Sequence, residues 1–374
     1  MEWVNRQVSR VGRRTVVAAP EEQIERELDD WSEPSEQQAE DDLSISHRLA
    51  NWKTLVSFGL ALLVLAIAIV KGGIDPKALW HHIRTLNFGL FFGAFVVYYA
   101  TFPLRGFRWK ALLQNAYRDT HSDAVNSMSV RGLSEILYIS WFVNCVVPAK
   151  LGDLYRAYLA KLWARISWTK TVGTIMAERI IDILVLGLLL AATALIVFRS
   201  RLGHIGIVLI LGLGLAVVGI VALIAMKTFS EHIRKRIPAR FHERYVAFEE
   251  GTLGSFRRLP LILGVTTLIW LMEGARLQMV FSALGLHTHI SNIPFVPMLF
   301  FALTMAVLTT VPFTPGGLGL VEVVLGSLMI YLGISKQDAA AVVVVDRLLS
   351  YYSVAFFGFL VYLLSKRSHF RHPV

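Results

Sequence analysis

Long apolar segments without charge restrict the folds that this chain can adopt more than any other feature of its sequence. Residues 55–70 and 205–226 contain no Asp, Glu, Lys or Arg, and they approach the ~20 residues that a helix needs to cross a bilayer. Across the whole chain 55% of residues are hydrophobic and only 17% are charged, which excludes a water-soluble globular protein and a disordered one. The sequence therefore predicts an all-α fold, a polytopic membrane helix bundle.

Six stretches are predicted to cross the membrane as full helices: residues 54–71, 87–104, 171–198, 205–226, 260–284 and 339–364. Two other apolar segments, 132–160 and 294–333, are interrupted at 148–152 and at 312–319. Proline removes a backbone donor and glycine permits positive φ, so each interruption is expected to end one helix and begin another. Irregular backbone at membrane depth survives only where it is buried in protein or lines a wet cavity. Both segments are therefore predicted to form re-entrant broken-helix hairpins that point into the bundle.

Lys and Arg counts in the short loops predict the orientation of the spans. Residues 105–131 hold five and 227–258 hold eight, whereas 199–204 hold two and 285–293 hold none. The basic loops are expected in the cytoplasm, which places the N- and C-termini there too. Residues 150–170 hold five more, so the first interrupted segment is expected to enter and leave the membrane on the cytoplasmic side.

Two tails are predicted to flank a transmembrane domain at residues 48–365. Residues 1–50 carry 12 acidic residues against 6 arginines, so 1–47 are expected to form a disordered acidic cytoplasmic tail. Residues 366–374 are expected to form a short basic tail. The chain beyond residue 50 carries 31 basic residues against 15 acidic ones, a net charge of +16 that favours anionic lipid rather than nucleic acid. A single cysteine, Cys145, excludes an internal disulfide framework, and neither a metal nor a cofactor is expected.

A weak internal repeat links the two interruptions. Residues 148–152 and 315–319 share the pattern P-x-x-L-G at an offset of 167 positions. Each copy is followed by an acidic residue and later by an adjacent acid and arginine: Asp153 with Glu178-Arg179, and Glu322 with Asp346-Arg347. Three predicted spans separate the copies, so the pattern predicts an inverted repeat, an architecture typical of transporters with a binding site near the midplane. Coincidence in an apolar sequence that contains Gly and Pro is an equal alternative.

Several ionisable residues fall within or beside the apolar spans. The acids are Glu135, Asp153, Glu178, Asp182, Glu273, Glu322 and Asp346, and the bases are Lys150, Arg156, Arg179, Arg276 and Arg347. Each costs at least ~2.5–3.5 kcal/mol on insertion scales, so it is expected to face a partner, the bundle interior or water. Opposite charges three residues apart can neutralise each other on one helix face. For Glu273 and Arg276, a purely structural role in holding helices together is as good an interpretation as a functional one. The surplus of acid predicts protonated carboxyls, a bound cation or a cationic headgroup.

The first interruption also predicts an anion site. A helix that restarts after 148–152 directs free N–H groups and its positive dipole end into the bundle, with Arg156 one turn further on. Arg179 and Arg347 could add guanidinium forks that suit phosphate oxygens. The alternative for Arg156 is an interfacial arginine that extends to the membrane surface.

Four motifs in series resemble the lysylphosphatidylglycerol synthase transmembrane-region family: residues 144–156 (NCVVPAKLGDLYR), 178–182 (ERIID), 312–322 (PFTPGGLGLVE) and 346–347 (DR). Their order and spacing match over roughly residues 50–365, and Arg108-Trp109 is similar to that family as well. The resemblance implies functional positions at Asn144, Pro148, Gly152, Asp153, Arg156, Glu178, Arg179, Asp182, Pro315, Gly316, Gly317, Gly319, Glu322 and Arg347. Two departures, Ala149-Lys150 after Pro148 and Asp346 before Arg347, bear on which headgroup is recognised.

The resemblance further implies a bundle in the bacterial inner membrane that moves lipids between leaflets, in a family with members linked to hopanoid and glycosylation pathways. We expect a lipid transporter rather than an enzyme, with Lys150, Glu273, Arg276 and Asp346 joining the motif positions in substrate binding. A membrane lipid is the expected partner, with a lipid-synthesis enzyme as a further partner, an oligomer left open and nucleic acid excluded. The sequence has no G-x-x-x-x-G-K-[ST] motif, so ATP is not expected to drive transport.

Two other functions stay open at this point. A membrane enzyme of polyprenyl-linked glycosyl transfer would need carboxylates to hold a metal and a sugar nucleotide. The paired aspartates, at 29–30 and 41–42, lie in the predicted tail, and no Rossmann-like βα alternation is present. A scaffold that recruits a lipid synthase through its tail is the other alternative.

Overall fold

A computed structural model describes residues 75–147, 151–198, 212–214, 216–221, 224–228, 236–238, 241–287, 290, 294–310 and 315–365. Within these residues the regular structure is helical throughout, with no strand, which confirms the predicted all-α polytopic membrane bundle. The predicted span at 54–71, both tails and Lys150 lie outside the described residues, so the proposed domain boundaries stay predictions.

The helices, in chain order, are α1 (Pro76–Arg84), α2 (Phe88–Ala116), α3 (Ser122–Ser127), α4 (Val130–Val146), α5 (Leu151–Ala164), α6 (Trp168–Val197), α7 (His242–Gly254), α8 (Leu259–Ala283), α9 (Phe295–Thr310), α10 (Leu320–Tyr331), α11 (Lys336–Arg347) and α12 (Ser353–Leu364). A 3₁₀ turn (Pro315–Gly317) precedes α10, and a π turn (Leu348–Tyr352) joins α11 to α12. Polar caps mark several helix starts, because a side-chain oxygen can satisfy a free N–H of the first turn. Asn87, Ser129, Ser167 and Ser335 accept such hydrogen bonds at the starts of α2, α4, α6 and α11.

Four described helices are long and apolar enough to cross a membrane: α2, α6, α8 and the continuous helix Lys336–Leu364. They overlap the predicted spans 87–104, 171–198, 260–284 and 339–364. The predicted span 205–226 overlaps a further apolar helix, Gly212–Thr228, some of whose residues lie outside the described part.

The predicted end of the second span at residue 104 is wrong. Helix α2 continues through Pro103, Arg105 and Arg108 to Ala116. The count of basic residues places both arginines in a cytoplasmic loop, but both are buried, with 5% and 1% of their surface exposed. Two of the five cations that supported the orientation of this loop therefore belong to the bundle interior.

Both interrupted segments are confirmed as pairs of helices. α4 ends at Val146, α5 begins at Leu151, and the two pack against each other. Their close approach needs a glycine, because a Cβ added to Gly152 would lie 2.0 Å from the Ser140 carbonyl oxygen. The Gly152 N–H also donates to Asn144 Oδ1 at 2.9 Å, which ties the start of α5 to α4.

The second interruption depends on backbone that L side chains rarely adopt. Gly316, Gly317 and Gly319 have φ of +57°, +73° and +83° between the end of α9 and the start of α10. Glycine adopts positive φ at little cost in free energy, because it has no Cβ to clash with the backbone. The three glycines thus allow the chain to turn between two apolar half-helices.

The two interruptions meet inside the bundle through Tyr351 of the π turn. Its hydroxyl donates to the Cys145 carbonyl oxygen at 2.7 Å, close to the end of α4. Its ring lies against Gly316, where an added Cβ would be 2.3 Å from the ring. One side chain therefore contacts both breaks, as expected for segments that point inward. Their re-entry relative to the membrane faces stays a prediction.

Gly152→Ala should lower the free energy of unfolding by about 1–3 kcal/mol, because the methyl group forces α4 and α5 apart. Gly264→Ala on α8 is the matched control, since an added Cβ there has nothing within 4 Å. Alanine at that helical position should leave stability unchanged or raise it by up to about 1 kcal/mol. The measurement is unfolding of the two variants in mixed micelles by SDS titration. Equal stability of both variants would contradict the tight α4–α5 contact.

Candidate functional site

Glu178 on α6 is the centre of a first network of buried ion pairs. Its Oε1 lies 2.9 Å from Arg108 Nη2 and 3.0 Å from Arg179 Nη2, and its Oε2 lies 3.0 Å from Arg156 Nη1. Arg108 comes from α2 and Arg156 from α5. One carboxylate thus joins three helices by charged hydrogen bonds.

Two further carboxylates balance this network. Asp182 accepts from Arg108 at 2.5 Å and lies 3.5 Å from Arg179. Asp153 on α5 lies 3.5 Å from Arg179 Nε and 3.7 Å from Arg156 Nε. Three arginines and three carboxylates therefore neutralise each other, as buried charges must.

Glu273 on α8 is the centre of a second network. Its Oε1 lies 2.9 Å from Arg105 Nη2, and its Oε2 lies 3.0 Å from Arg276 Nε. The other side of the Arg276 guanidinium contacts Asp346 on α11. Aromatic rings cover both arginines: Trp141 lies 4.7 Å from the Arg105 guanidinium carbon, and Tyr98 lies 5.5 Å from that of Arg276. Both rings add cation–π contacts to the neutral cluster.

The third network lies at the second interruption. Arg347 on α11 donates from Nε to Glu322 on α10 at 2.7 Å. Its Nη2 donates to the carbonyl oxygens of Gly316 and Gly317, each at 3.3 Å. The arginine therefore neutralises one acid and also satisfies backbone groups that the broken helix leaves without a helical partner.

The predicted surplus of acid disappears in these three networks. They contain six arginines, at 105, 108, 156, 179, 276 and 347, and six carboxylates, at 153, 178, 182, 273, 322 and 346. Arg105 and Arg108 supply the two missing positive charges, because α2 extends beyond residue 104 and carries both into the bundle. The network charges are balanced without protonated carboxyls, a bound cation or a cationic headgroup. Glu135, the remaining acid of that count, accepts a hydrogen bond from Ser365.

Arg156 lies elsewhere than predicted. It is fully buried, with Trp109 on one face at 5.0 Å and Glu178 and Asp153 around its nitrogens. It neither reaches the membrane surface nor lines the cavity described below. Its contacts hold α5 against α2 and α6.

A cavity of about 210 Å³ lies where the networks meet the two interruptions. The predicted site residues on its wall are Asn144, Asp153, Arg179, Asp182, Glu273, Arg276, Gly316 and Arg347, together with the unpredicted Arg105. The predicted residues Gly152, Arg156, Glu178, Gly317, Gly319, Glu322 and Asp346 are not part of this wall, and Pro315 begins the 3₁₀ turn. Four arginines and three carboxylates thus face one space. Among the described residues, no three His, Cys, Asp or Glu side chains are grouped to hold a metal.

One part of the cavity wall is apolar. Ile183 and Leu186 come from α6, and Ala302, Met305 and Ala306 come from α9. The cavity therefore combines a charged side with a hydrocarbon side. Such an arrangement suits a molecule that carries a polar group on an apolar body.

The internal repeat reappears in the contacts. α4 and α5 flank one interruption and α6 follows them, and α9 and α10 flank the other and the long helix from Lys336 follows them in the same order. In each copy the acid of the second half-helix pairs with an arginine of the next long helix: Asp153 with Arg179, and Glu322 with Arg347. Corresponding positions thus make corresponding contacts, which argues against a chance match of sequence.

Comparison with known proteins assigns most of the chain to one family. The family described as the lysylphosphatidylglycerol synthase TM region matches residues 55–358. A UPF0104 membrane protein of Methanocaldococcus jannaschii is 30% identical over 239 residues, which cover 62% of this chain and 97% of that relative. A UPF0104 membrane protein of Methanothermobacter thermautotrophicus is 25% identical, with 82% of this chain and 92% of that relative covered.

A third relative carries an enzyme name. Glycosyltransferase AglD of Haloferax volcanii is 26% identical over 345 residues, which cover 82% of this chain and 53% of that relative. These three relatives are archaeal, so they lend no support to the expected bacterial inner membrane, which stays a prediction. No solved structure matches the chain.

Glu178→Gln should lower the free energy of unfolding by about 3–5 kcal/mol, because it leaves Arg108, Arg156 and Arg179 with too little buried negative charge. Asp119→Asn is the matched control, because it removes one acid at an exposed position between α2 and α3. That exchange should cost at most about 1 kcal/mol. SDS titration of both variants measures the difference, and a small loss in Glu178→Gln would mean that the network is not the electrostatic centre of the bundle.

Proposed function

Because the chain belongs to the family of the lysylphosphatidylglycerol synthase TM region, we propose that it moves a phosphate-bearing lipid between the two leaflets of its membrane. The lipid classes in question are phospholipids, aminoacyl-lipids, hopanoids and polyprenyl-linked lipids. The observation that carries the proposal is the cavity with four arginines on its wall, at the junction of two interrupted helices.

The main barrier to lipid transfer is the free-energy cost of moving a charged headgroup through hydrocarbon. A cavity with charged side chains on its wall would lower this cost. Arginine forks bind phosphate oxygens in pairs, and Arg179 and Arg347 both face the cavity. Their carboxylate partners hold them in place before a lipid enters. The acyl or isoprenoid chains would remain in the bilayer beside the apolar wall of α6 and α9.

The repeat supports a means of moving the headgroup. Transporters built from inverted repeats expose one central site to alternate sides by rocking one repeat against the other. Here each repeat carries one interruption, and Tyr351 connects the two. We propose that the hairpins of α4–α5 and α9–α10 change their relative position as the headgroup crosses.

Glycosyl transfer is the second candidate, and the name of one relative favours it. That match covers 53% of the relative, so the activity in its name belongs to a longer protein. The carboxylates on the cavity wall of this chain each face an arginine. They are therefore engaged in ion pairs rather than free to hold a sugar nucleotide and its metal.

The proposal predicts that purified protein accelerates transfer of a fluorescent phospholipid between leaflets of liposomes, measured by loss of signal to a membrane-impermeant quencher. Arg179→Ala should slow the initial rate by about tenfold or more, because a charged hydrogen bond to phosphate is worth about 1.5–3 kcal/mol. Arg118→Ala, at an exposed position between α2 and α3, should transfer lipid like the wild type.

Size-exclusion profiles of the variants establish that both are folded before reconstitution. Wild-type transfer no faster than in protein-free vesicles, together with turnover of a sugar nucleotide, would replace the transport proposal with the enzyme. Equal rates for Arg179→Ala and wild type would remove the cavity from the transport path.

A further inference from the structure

Several buried N–H groups at the cavity lack an acceptor. Among the described residues that line it, the buried side-chain atoms without a hydrogen-bond partner are Arg105 Nε, Arg179 Nε, Trp270 Nε1 and Arg276 Nη2. Arg179 Nε lies 3.5 Å from a carboxylate oxygen, Asp153 Oδ2, which sets it apart as a donor that already faces an anionic group. All four are N–H donors, so the described residues that line the cavity carry unused buried donors and no unused buried acceptor. An isolated buried donor costs free energy, which a ligand with acceptor oxygens would recover.

The three remaining donors come from one side of the cavity. Arg105 is on α2, Trp270 and Arg276 are on α8, and these two helices pack against each other. Glu273 places the two guanidinium groups beside each other, because each of its oxygens accepts from one of them. Trp270, Glu273 and Arg276 are spaced three residues apart on α8, and all three line the cavity.

The arrangement of charge on the wall favours an anion. Four arginines and three carboxylates line the cavity, whereas Asp346 and Glu322, which balance Arg276 and Arg347, do not line it. A phosphodiester is an anion with acceptor oxygens, so it suits the unused N–H donors beside these arginines.

The volume limits the size of the polar group. At about 210 Å³ the cavity is smaller than the 300–1,000 Å³ typical of sites for drug-sized ligands. It suits a phosphate with a small substituent. The apolar chains of a lipid would have to stay outside.

We infer that Arg105, Trp270 and Arg276 form a phosphate subsite on the α2–α8 side of the cavity, which takes the phosphodiester of a lipid with a small headgroup. The inference rests on the proposed function for the choice of a lipid rather than a soluble phosphate. It moves the phosphate from the interrupted segment, where Arg156 was expected to bind it, to two uninterrupted helices.

Binding to the purified protein in a neutral detergent tests the subsite. The ligands are dihexanoyl-phosphatidylglycerol, glycerol phosphate, inorganic phosphate and, as an uncharged control, dihexanoylglycerol, each titrated by calorimetry. Trp270→Phe keeps an aromatic ring but removes the N–H donor, and it should weaken phospholipid binding by about tenfold. Arg105→Lys keeps the positive charge but replaces the guanidinium group, and Nε with it, and it should weaken binding similarly.

Trp168→Phe is the matched control. Trp168 Nε1 donates to the Leu154 carbonyl oxygen at 3.4 Å, and the residue does not line the cavity. This variant should bind the phospholipid like the wild type. Thermal unfolding with and without phospholipid provides a second measurement, because a bound ligand raises the unfolding temperature of any variant that retains the site.

The results separate the sources of phosphate and the two proposals. Phospholipid binding much tighter than phosphate binding supports a lipid headgroup, whereas equal binding of inorganic phosphate would overturn the lipid as the ligand. Wild-type affinity in both Trp270→Phe and Arg105→Lys would overturn the subsite. Specific binding without transfer in liposomes would support the subsite and overturn the transport function. Transfer at the wild-type rate in both variants would support the transport function and overturn the subsite.

Discussion

Charge inside a bilayer must be neutralised by a partner, because hydrocarbon provides no water to solvate it, and the described part of this bundle is arranged around that requirement. Arginines and carboxylates from α2, α5, α6, α8, α10 and α11 pair in three networks of equal and opposite charge. Removal of one partner leaves an uncompensated buried charge, which costs more than the pair itself contributes. The networks therefore determine which helices can be neighbours, beyond what apolar packing specifies.

The same networks prepare the cavity for a charged guest. Arg156 and Arg108 are almost fully enclosed by their partners, whereas Arg179 retains 32% of its side-chain exposure and faces the cavity. The enclosed arginines thus anchor the carboxylates, and the cavity arginines stand where a ligand can reach them. A wall that is held in place by ion pairs before binding loses little conformational entropy when the ligand arrives.

Much of the backbone could be predicted from local sequence. Pro and Gly interrupt two apolar segments, and both interruptions occur where the pattern places them, because these residues change what the backbone can adopt at their own positions. The P-x-x-L-G repeat likewise corresponds to equivalent ion pairs, Asp153 with Arg179 and Glu322 with Arg347. The end of α2 could not be predicted in this way. Arg105 and Arg108 resemble loop residues until their partners on α6 and α8 are known, and those partners lie 70 or more positions away in the chain.

By itself the sequence determined that this chain is a helical membrane protein with two broken segments, since apolar length and the conformational limits of Pro and Gly are properties of single residues and short runs. Only the tertiary structure decided which charges neutralise each other, which arginines face the cavity, and that Arg156 lies behind its wall while Arg105 lies on it. The reason is that Coulomb attraction and desolvation depend on distance in space and on burial, and helices far apart in sequence set both.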